Sequence, residues 1–248
     1  MPTALLVAIL AVASLVTSFI SGILGMAGGM ILMGILLALL PLPTAMMLHA
    51  ITQLASNGWR AALWRKEVEW RVLRGYCAGA FVPLAAFAIV QVVASKPVAL
   101  ILLGITPFVT LALPESLHLN VERRGHSTAC GLICTILSLT SGVSGPILDV
   151  FFVRSKMTRH AVVATKAMTQ SFGHVLRIGY FGGLVSADHG DIDPWIAAMM
   201  VLLAVAGTQI SRHVLERMND ESFRMWTRRT VMVIGAFYLG SGALLLLR

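Results

Sequence analysis

Five polar side chains that could bind an anion follow one another along a single apolar segment, namely Lys166, Thr169, Gln170, His174 and Arg177. A charge costs roughly 2.5 kcal/mol or more at the centre of a bilayer, so such residues are retained there for a reason. His174 lies one helical turn from both Gln170 and Arg177, which puts these three on one stripe. The pattern predicts an anion site built from cationic and amide groups.

The two cations of this segment cannot both touch one small anion. Lys166 and Arg177 share a helix face but lie about 16 Å apart along the axis. We therefore expect one buried cation at the site and the others at its mouths. Arg60 and Arg177 end their helices, so binding the anion and snorkelling to the membrane interface are both open interpretations.

A glycine-rich break, Thr140–Pro146, precedes this helix. Interrupted membrane helices expose backbone N–H groups, which are tolerated only against protein or a water-filled cavity. The N-terminus of a half-helix attracts anions because its N–H groups are free and its dipole is positive. The break therefore predicts that Ser144 and Gly145 donate hydrogen bonds to the anion, with the Ser144 hydroxyl as an additional donor.

The first half of the chain repeats this arrangement. Ile51–Arg60 and Met168–Arg177 share the pattern T-Q-x-x-x-[N/H]-x-x-R, and Gly28-Gly29 aligns with Ser144-Gly145. Thr52 and Thr169 are expected to refine the fit. The predicted substrate-binding residues are Gly28, Gly29, Gln53, Asn57, Ser144, Gly145, Lys166, Gln170, His174 and Arg177.

The composition of the chain indicates that these helices lie in a membrane. Of the 248 residues 57% are hydrophobic and 12% are charged, whereas a soluble domain carries about 25% charged residues. The chain is therefore predicted to be a polytopic membrane protein. The net charge of +8 comes from basic residues in short loops. Those loops indicate orientation in the membrane and not nucleic-acid binding.

Apolar spans are predicted at 4–24, 30–42, 44–62, 75–93, 97–113, 127–152 (broken), 161–183, 194–211 and 230–247. The short link at 94–97 predicts that the spans on either side of it are antiparallel neighbours. Basic loops at 60–74, 154–159 and 212–229 are cytoplasmic by the positive-inside rule, and the acidic loop with Asp188, Asp191 and Asp193 is external.

Charge counting gives the two polar helices opposite directions across the membrane. The fold class is thus all-α, with two inverted-topology repeats that each contain a glycine-broken hairpin and a polar helix. The halves are residues 1–113 and 127–248, joined by a cytoplasmic loop at 114–126. Transporters of this kind bind substrate near the bilayer midplane, between discontinuous helices. The alternative is that the halves arose by gene duplication and that their polar residues only form hydrogen bonds between helices, without lining a transport path.

The break Thr140-Ser-Gly-Val-Ser-Gly-Pro146, the segment Ala161-Val-Val-Ala-Thr-Lys166 and Gln170-x-x-x-His174-x-x-Arg177 resemble the second half of the sulfite exporter TauE/SafE family. Gly22-x-x-Gly25-x-x-Gly28-Gly29 is similar to that family's first hairpin, and the likeness covers about residues 10–245. It implies a bacterial inner-membrane permease for sulfite, sulfonate or sulfoacetate-type anions, working by alternating access. Met26, Met30 and Arg177 depart from the family pattern and leave the substrate open.

Several alternatives remain at this stage. Histidine titrates near physiological pH, so His174 could couple transport to protons, or it could stay neutral and bond across helices. A passive anion channel could use the same lining.

Gly142-Val143-Ser144-Gly145 also spells the G-x-S-G of rhomboid-type intramembrane serine proteases, with His174 as the base for Ser144. No cofactor, metal or nucleic acid is expected, the partners being a small anion and the lipid bilayer, and a homodimer is left open.

Overall fold

The computed structural model describes residues 3–24, 26–114, 119–184, 192–215 and 220–247. Within these ranges all regular structure is helical, which confirms the all-α prediction. Gly25, Asp188, Asp191 and part of the predicted loop at 114–126 lie outside the described residues.

The helices are α1 (Ala4–Leu24), α2 (Ala27–Leu39), α3 (Leu42–Leu63), α4 (Trp70–Val90), α5 (Lys96–Ala112), α6 (His126–Ser141), α7 (Gly145–Phe152), α8 (Arg159–Gly179), α9 (Pro194–Leu215) and α10 (Asp220–Leu246). A short 3₁₀ turn (Arg65–Glu67) precedes α4, and α8 continues into a π-helical turn (Tyr180–Leu184). Both predicted hairpins are indeed broken, since α1 and α2, like α6 and α7, are separate helices that pack together.

Four described helices are long and apolar enough to cross a membrane: α1, α4, the first 18 residues of α9, and the part of α10 from Met225 to Leu246. The chain is therefore a multi-pass membrane protein. Helices α3 and α8 have comparable lengths of 22 and 21 residues, but they carry the polar stripes that the sequence singled out. Helices that hold polar groups in a membrane are expected to face protein or a cavity.

Local sequence explains how the second break is made. Gly142 ends α6 with φ of +81°, a conformation that glycine adopts without a Cβ penalty. Its N–H still bonds the Ser138 carbonyl at 3.2 Å. Pro146 follows in the first turn of α7, where its missing N–H costs nothing. The chain therefore reverses within Gly142–Ser144 and begins a new half-helix.

Helix packing follows matched pairs between the two halves. Helix α1 packs on α9 as α6 packs on α4, while α3 contacts α8 and α5 contacts α10. Two equivalent five-helix units, α1–α5 and α6–α10, would produce this pattern. Their opposite orientation in the bilayer and the boundary at 114–126 stay predictions. The expectation that the spans flanking 94–97 are packed neighbours is wrong, because α5 packs on α10 and α4 packs on α6 and α8.

Candidate anion-binding site

A cavity of about 570 Å³ lies between the two breaks and the two polar helices. Of the ten residues predicted to bind substrate, eight line it. They are Gly29, Gln53, Asn57, Ser144, Gly145, Lys166, Gln170 and His174. Residues more than a hundred positions apart in the sequence therefore share one chamber.

The two chain breaks touch each other at this cavity. A Cβ added to Gly145, at the start of α7, would lie 2.6 Å from the Cβ of Met26, just before α2. A Cβ on Gly29 would lie 3.3 Å from Nε2 of Gln53. Glycine is thus needed at 145 so that the two half-helices can approach, and Gly29 keeps the first break close to α3.

Four predicted contributors are not among the lining residues, namely Gly28, Thr52, Thr169 and Arg177. Gly28 faces α1, where a Cβ would collide with the Thr17 carbonyl and with Ser21, so this glycine serves helix packing. The hydroxyl of Thr52 donates to the Leu48 carbonyl at 2.7 Å, and that of Thr169 to the Lys166 carbonyl at 2.9 Å. Both hydroxyls are therefore used within their own helices.

Arg177 is fully buried, with 0% of its surface exposed, so the snorkelling interpretation is wrong for this residue. Its guanidinium donates to the Gly142 carbonyl and, at 3.4 Å, to that of Ser138. It also contacts His49 and His174. Within the described residues it has no carboxylate partner. Arg177 therefore places an unpaired positive charge just beyond the end of the cavity that lies away from the basic loops.

Arg177 fixes the tautomers of both histidines. Arginine only donates hydrogen bonds, and its Nη2 faces Nδ1 of His49 at 2.6 Å and Nδ1 of His174 at 3.2 Å. Each Nδ1 must therefore accept, which leaves the ring hydrogen on Nε2. His49 donates that hydrogen to the Gly29 carbonyl at 2.9 Å. The buried cation is thus tied through His49 to the first break.

The same reasoning orients the amide of Asn57. Nδ2 of Asn57 lies 3.1 Å from Nε2 of His174, and two nitrogens that both carry hydrogen cannot bond. A half-turn of the amide exchanges its oxygen and nitrogen. The oxygen then accepts from His174 and the NH₂ group faces away from the ring. Since Asn57 lines the cavity, this arrangement offers the NH₂ to a bound anion.

A second amide donor is available on the same helix face. Nε2 of Gln53 is buried and has no hydrogen-bond partner in the described part of the chain, although the residue lines the cavity. Leaving a buried donor unsatisfied costs roughly 1–3 kcal/mol. An anion oxygen in the cavity would supply the missing acceptor. Gln170 lines the cavity from α8 at the corresponding position.

Lys166 is not the free cation that the sequence suggested. Its ammonium group forms an ion pair with the carboxylate of Asp149 on α7. Arg60 also lines the cavity, and its buried Nε has no hydrogen-bond partner among the described residues. Asp149 is the only carboxylate among the described lining residues. Arg60 and Arg177 therefore leave two positive charges unmatched around the cavity.

The cavity lining extends into the loop between α7 and α8, and buried apolar packing lies beyond its opposite end. Ser155 and Met157, in the basic loop between α7 and α8, belong to its lining. At the far end Gly142 lies against Met33 and Met46, which belong to a large buried apolar cluster. The lining therefore extends to the side of the basic loops, which the charge pattern predicts to be cytoplasmic.

The protease hypothesis requires His174 to take a proton from Ser144. Both ring nitrogens of His174 instead contact other groups, Arg177 at Nδ1 and Asn57 at Nε2. The same two contacts favour the interpretation of His174 as a neutral bridge between helices over that of a proton carrier. Ser144 lines the cavity and its side chain does not cap α7.

Sequence reasoning left His49 out of the site, although it lines the cavity and contacts Arg177. A signal was present in the spacing. His49, Gln53 and Asn57 recur every four residues along α3, and Lys166, Gln170 and His174 do so along α8. In the internal repeat His49 therefore corresponds to Lys166, which was included.

Comparison with known proteins identifies the family of the chain. The family model described as sulfite exporter TauE/SafE matches residues 10–238. No curated protein and no solved structure matches the chain. Because the match spans most of the sequence and both broken hairpins, this multi-pass membrane protein belongs to the sulfite exporter TauE/SafE family, whose members are permeases for sulfur-containing anions.

Proposed function

We propose that the protein exports a small dianion of the sulfite or sulfoacetate type across the bacterial inner membrane by alternating access. The observation that carries the proposal is the convergence of both glycine breaks and both polar helices on one cavity. The lining offers amide donors from Gln53 and Asn57 and unpaired positive charge. A sulfur oxoanion supplies the complementary groups, since its oxygens only accept hydrogen bonds.

Charge supports a dianion over a monoanion. Lys166 is matched by Asp149, whereas Arg60 and Arg177 have no carboxylate partner among the described residues. Their two charges act in a partly buried space, where electrostatic interactions are stronger than in water. A doubly charged solute balances them, and a zwitterion such as taurine brings an ammonium group that the site would repel.

The membrane potential supports export. A potential of 100 mV, negative inside, favours outward movement of each negative charge by about 2.3 kcal/mol. For a dianion the driving force is about 4.6 kcal/mol under the same conditions. Export therefore needs no coupling ion, whereas import would have to overcome this barrier. Proton coupling is not required by the energetics.

The conformation supports alternating access. The cavity lining extends to the basic-loop end, while Arg177, the two histidines and the buried apolar cluster pack together at the opposite end. This arrangement supports the proposal of a carrier that opens toward the basic-loop side. A channel would need a continuous path, and the packing at that opposite end interrupts one.

Flux in proteoliposomes tests the proposal. Purified protein is reconstituted, sulfoacetate or sulfite is loaded on one side, and a potassium gradient with valinomycin sets the potential. We expect saturable efflux that a potential negative on the loaded side accelerates, and exchange that substrate on the opposite side stimulates. Taurine is expected to compete poorly.

Different outcomes contradict different parts of the proposal. Non-saturable flux without stimulation by substrate on the opposite side would favour the passive channel. Flux that is unaffected by the potential but collapses with a protonophore would require proton coupling. No binding or flux of any sulfur anion would remove the proposed substrate class.

A further inference from the structure

Asp149 reaches from the short half-helix α7 to Lys166 on α8 and pairs with its ammonium group. Both side chains line the cavity. Their exposed fractions are 27% for Lys166 and 35% for Asp149, so water and solutes reach the pair. Ion pairs in contact with water are weak. An anion that enters the cavity can therefore compete with Asp149 for Lys166.

We infer that Asp149 is a tethered counter-anion, which occupies Lys166 in the empty cavity and is displaced when the anionic substrate binds. The inference rests on the proposed function and deepens it by naming a specificity-determining residue. A carboxylate held beside its partner acts at a high effective concentration. Only an anion that offers Lys166 a better contact, or that gains further bonds nearby, displaces it.

The position of the pair makes such further bonds available. Gln170 lies one turn along α8 from Lys166 and lines the same cavity. A dianion with separated charges can therefore bond Lys166 with one end and reach toward Gln170, Gln53 and Asn57 with the other. A singly charged solute has no second anionic end to offset the displacement of Asp149. Asp149 thereby discriminates against monoanions.

Displacement also changes what holds α7. This half-helix begins at Gly145, which touches Met26 at the first break, and the Asp149–Lys166 pair ties it to α8. Substrate binding would release that tie on the side of the basic loops. In the occupied cavity α7 would therefore lack the ion pair that joins it to α8 in the empty cavity.

A double-mutant cycle tests the inference. Binding of sulfoacetate and of methanesulfonate, a monoanion, is measured by calorimetry for wild type, Asp149→Asn, Lys166→Gln and the double variant. We expect Asp149→Asn to tighten sulfoacetate binding about tenfold, the size of a typical coupling between sites. In the Lys166→Gln background the same change should have little effect, because no ammonium group is left to release. Methanesulfonate should gain more than sulfoacetate from Asp149→Asn, so the ratio of the two affinities should fall.

The cycle separates competition from a general change in charge. Equal tightening in both backgrounds would mean that Asp149 repels anions through space, and it would overturn the inference. Unchanged or weaker binding in Asp149→Asn, with binding by wild type intact, would also overturn it and leave the proposed function standing. No binding by wild type would overturn both. Glu67→Gln, which removes an exposed carboxylate outside the cavity, is the matched control, and Asp149→Ser is measured in parallel.

Discussion

Asn57 and His174 occupy corresponding positions in the two halves of the sequence and contact each other in the folded protein, with Nδ2 and Nε2 3.1 Å apart. A contact between corresponding residues of the two halves can form only at the interface between the halves. This contact therefore marks the junction between α3 and α8, and the cavity lies beside it.

The two ends of the Asn57 amide have separable roles. In Asn57→Asp the oxygen that accepts from His174 is kept, while the donor toward the cavity is replaced by a negative charge. We expect a melting temperature close to that of wild type and sulfoacetate binding weakened by more than about tenfold, as for a lost hydrogen bond to a charged group. Calorimetry and thermal melting in detergent measure the two effects. Unchanged binding would mean that the NH₂ group does not face the substrate.

Arg60 and Arg177, which correspond in the internal repeat, should differ in their effects on stability and on anion binding. Arg177→Gln removes the donors to the Gly142 carbonyl and to both histidines, so we expect a loss of about 2 kcal/mol or more in stability together with loss of transport. Arg60→Gln removes a side chain whose buried Nε has no hydrogen-bond partner within the ranges that the structure describes. It should leave the melting temperature nearly unchanged while weakening anion binding. Equal destabilisation by both changes would contradict this division.

The sequence was sufficient to predict the all-α class, both chain breaks and eight of the residues that line the cavity. Apolar length, glycine and proline gave the approximate positions of the helices, although α4 begins at Trp70 and α10 at Asp220, before the predicted starts of 75 and 230. The repeated T-Q pattern identified the two helices α3 and α8 that line the cavity. These features are local, or they recur at a fixed spacing. The charge rule also indicated a hairpin for the second break, which the packing of α7 on α6 agrees with.

Pairing between side chains could not be predicted in the same way. Asp149 is not among the residues predicted from the sequence, yet α7 places its carboxylate against Lys166. Burial of Arg177 at a helix end was equally hidden, because the acceptors that stabilise it include a backbone carbonyl at a break. Both facts depend on how helices cross, and a single sequence does not encode crossing angles locally.

The unpartnered amide of Gln53 predicts opposite effects on stability and on binding. Gln53→Met keeps the length of the side chain and removes a buried donor that has no acceptor in the empty cavity. We expect the melting temperature to hold or rise, since an unsatisfied polar group is lost, and sulfoacetate binding to weaken about tenfold. Gln209→Met is the matched control, because Gln209 is exposed and bonds Trp59 away from the cavity. A fall in melting temperature without any change in binding would make Gln53 a structural residue.

The contact between the two breaks can be tested by exchanging its glycine. In Gly145→Ala the new Cβ would lie 2.6 Å from the Cβ of Met26, and overpacking of this kind costs about 1–3 kcal/mol. We expect a lower melting temperature and reduced flux, because the half-helices are pushed apart at the cavity. Met26→Gly in the same chain removes the opposing Cβ and should restore much of the melting temperature and of the flux. Gly179→Ala is the control, because nothing lies within 4 Å of its new Cβ, and it should change neither quantity. Failure of Met26→Gly to restore Gly145→Ala would mean that the two breaks do not depend on close approach to each other.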